Sequence, residues 1–148
     1  MAIPNPKHYW RFDEGNTTQS TDSVSGAAIT FDHSSFRPGR AGTALRIHPS
    51  DGARVVITSL SDMPPPWTVS LWIQRETDAE SSALLSSDEF ALKLEQWPNK
   101  HTLGITRFAG SAHSGFDHSS DYRTLLGEWV HLTIPFKVEF VALQTSNI

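Results

Sequence analysis

The chain contains no cysteine, which removes disulfides, thiolate zinc sites and cysteine nucleophiles at once. Secreted bacterial modules and cytosolic proteins both dispense with cysteine, so the compartment stays open. No run approaches the roughly 18 apolar residues that a membrane span requires. No basic block accompanies the formal net charge of −4. Lys and Arg are scattered singly, which argues against an electrostatic grip on nucleic acid or on a membrane surface. The opening Met1-Ala2-Ile3-Pro4-Asn5-Pro6 lacks the basic-then-apolar pattern of a secretory signal. Either export is absent, or Met1 opens a processed, engineered or internal segment. Helical periodicity is nearly missing too: apolar residues at i, i+3, i+4 and i+7 are soon interrupted by Gly, Pro or Ser. There is no internal repeat and no linker-like tract.

What is present is β-structure. The 148 residues suit one domain spanning 1–148, and an apolar share of 38% suits a sandwich with solvated loops better than a helical bundle. Two phrases alternate strictly with period 2: Trp67-Thr68-Val69-Ser70-Leu71-Trp72-Ile73-Gln74 and Trp129-Val130-His131-Leu132-Thr133-Ile134. Val69, Leu71 and Ile73 line one face of the first, and Val130, Leu132 and Ile134 one face of the second. Trp72 and Trp129 fall on the opposite faces, so both faces of each strand are expected to be at least partly covered, as in a two-layer sandwich. Further strands are read near His8–Phe12, Ala27–Asp32, Thr43–His48, Ala53–Thr58, Ser82–Ser86, Phe90–Glu95, Thr102–Phe108 and Phe136–Leu143. Turn-rich stretches separate them, at Asp13–Gly26, Ser34–Gly42, Pro49–Gly52, Asp62–Pro66, Trp97–Lys100 and Ala109–Asp121. About ten short strands with such punctuation read as an antiparallel sandwich or jelly roll. Pro64-Pro65-Pro66 is read as fixing a strand entrance rather than dividing two domains.

Four phrases stand in order: Tyr9-Trp10-Arg11-Phe12-Asp13-Glu14-Gly15, Gly39-Arg40-Ala41-Gly42-Thr43-Ala44-Leu45-Arg46-Ile47, Trp67 to Gln74, and Gly127-Glu128-Trp129-Val130-His131-Leu132. Together they resemble the laminin-G-like, concanavalin A-like lectin/glucanase superfamily in its bacterial jelly-roll branch. The resemblance implies an all-β, antiparallel two-sheet jelly-roll sandwich. Gly39 and Gly42 suit a tight approach before the Ala44–Ile47 strand, and Gly127 a sharp entry to the Trp129 strand. Two departures stand out. The acidic run that relatives carry after Ile47 is reduced here to Asp51. The strands that follow the Trp129 strand in relatives are mostly missing, with Lys137–Leu143 a candidate equivalent of the next one. An incomplete jelly roll exposes a sheet edge. A shortened variant, a truncated product or a homo-oligomer formed through the C-terminal edge are the expectations.

Catalysis is not expected. Glycosidases of this fold carry paired carboxylates in an E-x-D-x-x-E manner, whereas Glu89, Glu95, Glu128 and Glu139 are single. Asp78 and Glu80 sit in a charged loop without an aromatic beside them, and no nucleophile-elbow, zinc-protease or phosphate-loop motif appears. Carbohydrate binding needs aromatic platforms and planar polar groups. Of the five Trp, Trp10, Trp67, Trp72 and Trp129 are assigned to packing. Trp97, in Gln96-Trp97-Pro98-Asn99-Lys100, is the candidate platform with Asn99, against the plainer reading of a Trp capping one end of the sandwich. The polar loop from Gly110 to Tyr122 supplies His113, Phe116, Asp117, His118 and Tyr122 as further ligand-binding candidates. His113, Asp117, His118 and Asp121 also have the chemistry of a zinc or nickel site, although a solvated loop is the plainer reading. The resemblance implies a structural calcium ion, with Asp13, Asp22 and Asp51 as ligands. His131, His48 and His33 are read as satisfied, partly buried histidines.

The sequence thus predicts a non-catalytic recognition module for carbohydrate, part of or derived from an extracellular protein. The alternatives are an interaction module that self-associates through its incomplete sheet edge, and a cryptic glycosidase or lyase on the same fold.

Overall fold

The computed structural model describes residues 5–15, 17–48, 54–57, 66–78, 81–87, 90–96, 102–107, 116–136 and 144–146. Among these residues there are twelve strands and no helix, and every strand pairing is antiparallel. The chain is all-β, as the alternation predicts. It divides into two compact units, Met1–Met63 and Pro64–Ile148.

In the first unit, β1 (Gln19–Thr21), β2 (Ala28–Asp32) and β5 (Arg54–Val56) form a sheet in the order β1-β2-β5. Strand β2 alternates strictly, so Ile29 and Phe31 point inward and are buried while Ala28, Thr30 and Asp32 face out. Strands β3 (Ser35–Pro38) and β4 (Thr43–Arg46) make a hairpin. Phe36 of β3 meets Phe31 edge-on, with ring centroids 5.8 Å apart. The hairpin tip explains two glycines. The Gly39 N–H donates to the Gly42 carbonyl at 2.9 Å. A Cβ on Gly39 would sit 2.7 Å from the Thr43 carbonyl oxygen, and Gly42 has φ +66°.

The segment His8–Phe12, expected as a strand, joins no ladder. It is held by the turn after β1 instead: the Tyr9 N–H donates to the Asp22 carboxylate at 2.8 Å, and the Tyr9 carbonyl accepts from the Ser23 N–H at 2.8 Å. Phe12 then turns the chain with φ +57°, and its carbonyl accepts from the Thr43 hydroxyl at 3.0 Å.

The second unit holds two antiparallel sheets. One runs β10-β9-β8-β7, from β7 (Ser81–Ser86), β8 (Phe90–Gln96), β9 (Thr102–Arg107) and β10 (His118–Arg123). The other runs β12-β11-β6, from β6 (Trp67–Gln74), β11 (Trp129–Phe136) and β12 (Gln144–Ser146). Leu92, Leu94, Leu103 and Ile105 from the first sheet and Val130, Leu132, Ile134 and Phe136 from the second form one buried cluster, a sandwich-like arrangement. Pro66 leads directly into β6, and Trp67 stacks on Phe136 at 3.8 Å with Phe90 beside both.

Strand β11 is longer than its periodicity alone suggests. It continues through Pro135 to Phe136, which pairs with Trp67 rather than opening a new strand. Among the described residues, strand β12 flanks β11 over His131–Thr133. Pro135, which has no N–H to give a ladder, lies beyond that paired stretch. The expected strand residues Lys137–Leu143 lie outside the described residues.

Candidate functional site

Strict alternation in β6 and β11 creates two unlike faces, and the register fixes which side chains meet. Val130 opposes Ile73, Leu132 opposes Leu71 and Ile134 opposes Val69, all toward the core. On the outer face His131 opposes Trp72, Thr133 opposes Ser70, Trp129 opposes Gln74 and Pro135 opposes Thr68. Every β6 residue on this face is exposed, Trp72 included at 39%. This corrects the expectation that Trp72 packs: of the Trp residues in the two opening phrases, it is Trp67 that enters the core. The signal was present in the sequence, because Thr68, Ser70 and Gln74, the residues that share the Trp72 face, are all polar. A Trp among polar alternates stands on the solvent side of its strand.

The face is organised around His131. Its Nε2 lies 2.9 Å from the Ser70 hydroxyl, and its ring lies 5.0 Å from the Trp72 indole at a 42° tilt. Its Nδ1 is buried without a hydrogen-bond partner among the described residues, so the expected satisfied histidine is satisfied at one nitrogen only. Gln74 closes one end by donating from Nε2 to the Gly127 carbonyl at 2.8 Å. Gly127, at φ +78°, donates its N–H to the Arg75 carbonyl at 2.8 Å. The result is an exposed indole beside an imidazole, edged by hydroxyl and amide groups. Such a surface offers an apolar plane together with directional hydrogen bonds.

A second polar constellation lies inside the same unit. Arg75 is buried, donates from Nη1 to the Thr124 carbonyl at 3.0 Å and to its hydroxyl at 3.2 Å, and pairs through Nη2 with the buried Glu95. Asp78 stands 3.6 Å from the same guanidinium. Nearby on β8, the Gln96 side-chain Oε1 accepts from Lys93 at 2.9 Å and from the Thr106 hydroxyl at 3.0 Å. A buried carboxylate matched to a guanidinium ties β6 to β8; the pair is a structural tie.

The loop candidates fare differently. Trp97, Asn99 and His113 lie outside the described residues. Phe116 is half-buried with its ring over Gly104, where a Cβ would run into it. Tyr122 packs against the core; burial and, after it, the nearby Glu128 carboxylate push its phenol up. These two aromatics are packing residues rather than free platforms. Asp117 and His118 are exposed, and the Asp117 N–H donates to the Ile105 carbonyl at 2.9 Å. His118 opens β10, a strand where the sequence read a loop.

Of the three carboxylates expected around calcium, Asp13 and Asp22 lie among the described residues. Asp22 is buried, and its Oδ1 accepts from the Tyr9 N–H at 2.8 Å and the Val24 N–H at 3.0 Å. Its Oδ2 accepts from the Ser25 hydroxyl and lies 2.7 Å from His8 Nδ1. Burial alone raises such a carboxyl, but these hydrogen bonds outweigh it and hold Asp22 well below the usual carboxylate range. Both Asp22 oxygens are thus engaged by donors of its own chain. Asp13 pairs with Arg11 at 2.8 Å, and Asp51 lies outside the described residues. No cluster of three or more His, Asp or Glu suited to a metal ion occurs among the described residues.

No family model matches the chain, and no curated protein or solved structure matches it.

Proposed function

We propose that the protein is a non-catalytic carbohydrate-recognition module, a laminin-G-like variant of the concanavalin A-like jelly roll, whose binding face is the outer side of β6 and β11. The observation that carries this reading is the exposed Trp72 indole, set beside His131 and among the hydroxyls of Thr68 and Ser70. Sugar rings present apolar C–H faces and a rim of hydroxyls, and this surface answers both. The sandwich-like core of the second unit supports the fold half of the reading. The four phrases that resemble the superfamily support it as well, and with them an extracellular parent protein.

The test is a glycan array followed by calorimetry on wild type and Trp72→Ala. Loss of the indole is expected to weaken binding by at least about tenfold, on the order of 1.4 kcal/mol. Thermal unfolding of the variant should stay close to wild type, because the side chain stands outside the core. Binding that survives Trp72→Ala would remove this face from consideration.

A further inference from the structure

Strands β6, β11 and β12 contain no Asp, Glu, Lys or Arg at any position, in a chain with 12 Lys and Arg and 16 Asp and Glu. On the inner face that absence is ordinary, since charges seldom enter a core. On the outer face it is not, because solvated strand positions are where Lys and Glu usually stand, and sheet surfaces commonly carry them against aggregation. Here the outer positions hold Thr68, Ser70, Trp72 and Gln74 on β6, with Trp129, His131, Thr133 and Pro135 on β11. Of the cations adjoining these strands in sequence, Lys137, immediately after β11, lies outside the described residues, and Arg75 is committed elsewhere. Arg75, immediately after β6, is buried against Glu95 and Thr124, and Lys93 on β8 donates to Gln96.

We infer that the ligand of the Trp72 face is an uncharged glycan, not a uronic-acid-containing or sulfated one. This rests on the carbohydrate reading above and narrows it. Carboxylates and sulfates are held by charge-assisted bonds from Arg or Lys, roughly twice as strong as neutral ones. A surface of hydroxyls, one carboxamide, an imidazole and an indole has no Arg or Lys to supply them. It matches instead the neutral donors and acceptors of unsubstituted hexose or pentose chains. An uncharged interface also lacks any Coulomb attraction for salt to screen.

The experiment compares neutral oligosaccharides with oligouronates and sulfated oligosaccharides by titration calorimetry at pH 8. Each is run at low and high sodium chloride, on wild type and Trp72→Ala, with Trp72→Phe as the variant that keeps a ring. Neutral glycans are expected to bind with a Kd that moves less than about twofold across the salt series. That binding should fall in Trp72→Ala and be retained in part by Trp72→Phe. Acidic glycans that bind more tightly, through Trp72 and with affinity lost to salt, would overturn the inference while leaving the carbohydrate reading in place. If neither class binds wild type, the carbohydrate reading itself falls, and the inference with it.

Discussion

Asp22 shows how much one side chain organises in the first unit. It stands just after β1 and gathers His8, Tyr9, Val24 and Ser25 around a single buried carboxylate. Its folded-state pKa is depressed, so its contribution is full above the unfolded aspartate value of about 3.9 and is lost as pH falls through the lower folded value. Glu14 acts in the same direction. Burial raises it, but bonds from the Ser20 hydroxyl and the Thr21 N–H, with Arg11 nearby, leave it lowered. The stability of this unit is therefore expected to be level above about pH 5 and to decline on acidification below about pH 4. Asp22→Asn should lower it at neutral pH, because an amide turns a donor toward donors, and should flatten most of the acid limb. Thermal unfolding of both proteins between about pH 2 and about pH 6, roughly two units either side of the carboxylate range, measures this. An unchanged acid limb in the variant would remove Asp22 as its source.

Among the elements, β9 and β10 depend on one glycine. Phe116 precedes β10 and lays its ring on Gly104 of β9, so a side chain and a missing side chain fit each other across the sheet. Gly104→Ala is expected to cost about 1–3 kcal/mol by overpacking. The same change in a Phe116→Ala background should cost much less, and chemical denaturation of the four proteins closes that cycle. This pairing also marks where the sequence was readable. Strands β6 and β11 declared themselves because one face is aliphatic and the other is not. Strand β10, His-Ser-Ser-Asp-Tyr-Arg, offers only Tyr122 to the core. It is a strand because β9 lies beside it, a cause no local pattern contains. Strand β1, Gln-Ser-Thr, escaped for the same reason. His8–Phe12 misled in the opposite sense: its aromatics favour a strand, yet the Asp22 carboxylate and not a neighbouring strand takes the Tyr9 amide. The site was half legible. The polar alternates Ser70 and Gln74 marked the Trp72 face as solvent-facing, while the match to a family phrase assigned the indole to packing. Phe116 and Tyr122 looked free only because the strand that seats Tyr122 was not visible.

At the scale of the whole molecule, the two units hold very different amounts of apolar core. Among the described residues, Ile29 and Phe31 are the buried hydrophobics of the first, against the two-sheet cluster around Leu92, Leu103, Leu132 and Ile134 in the second. Apolar burial is the main favourable term in folding, so hydrogen exchange should find the amides of β9 and β11 slower than those of β2. Leu132→Ala should cost the second unit about 2–5 kcal/mol and speed exchange across both its sheets. Equal protection in β2 and β11 would contradict this distribution. The pairing of β6 with β11 carries a consequence in time as well as in space. Ser70 and His131 touch although 61 residues separate them, and Gln74 reaches Gly127 across 53. Contacts so distant along the chain form late, after the loops that close them have been drawn in. During synthesis β6 must wait, with the edge that pairs with β11 unpaired and Trp72 facing no histidine, until β11 has emerged. The surface proposed to recognise a ligand therefore has no precursor in any shorter stretch of the chain, and its appearance can serve as a clock for completed folding.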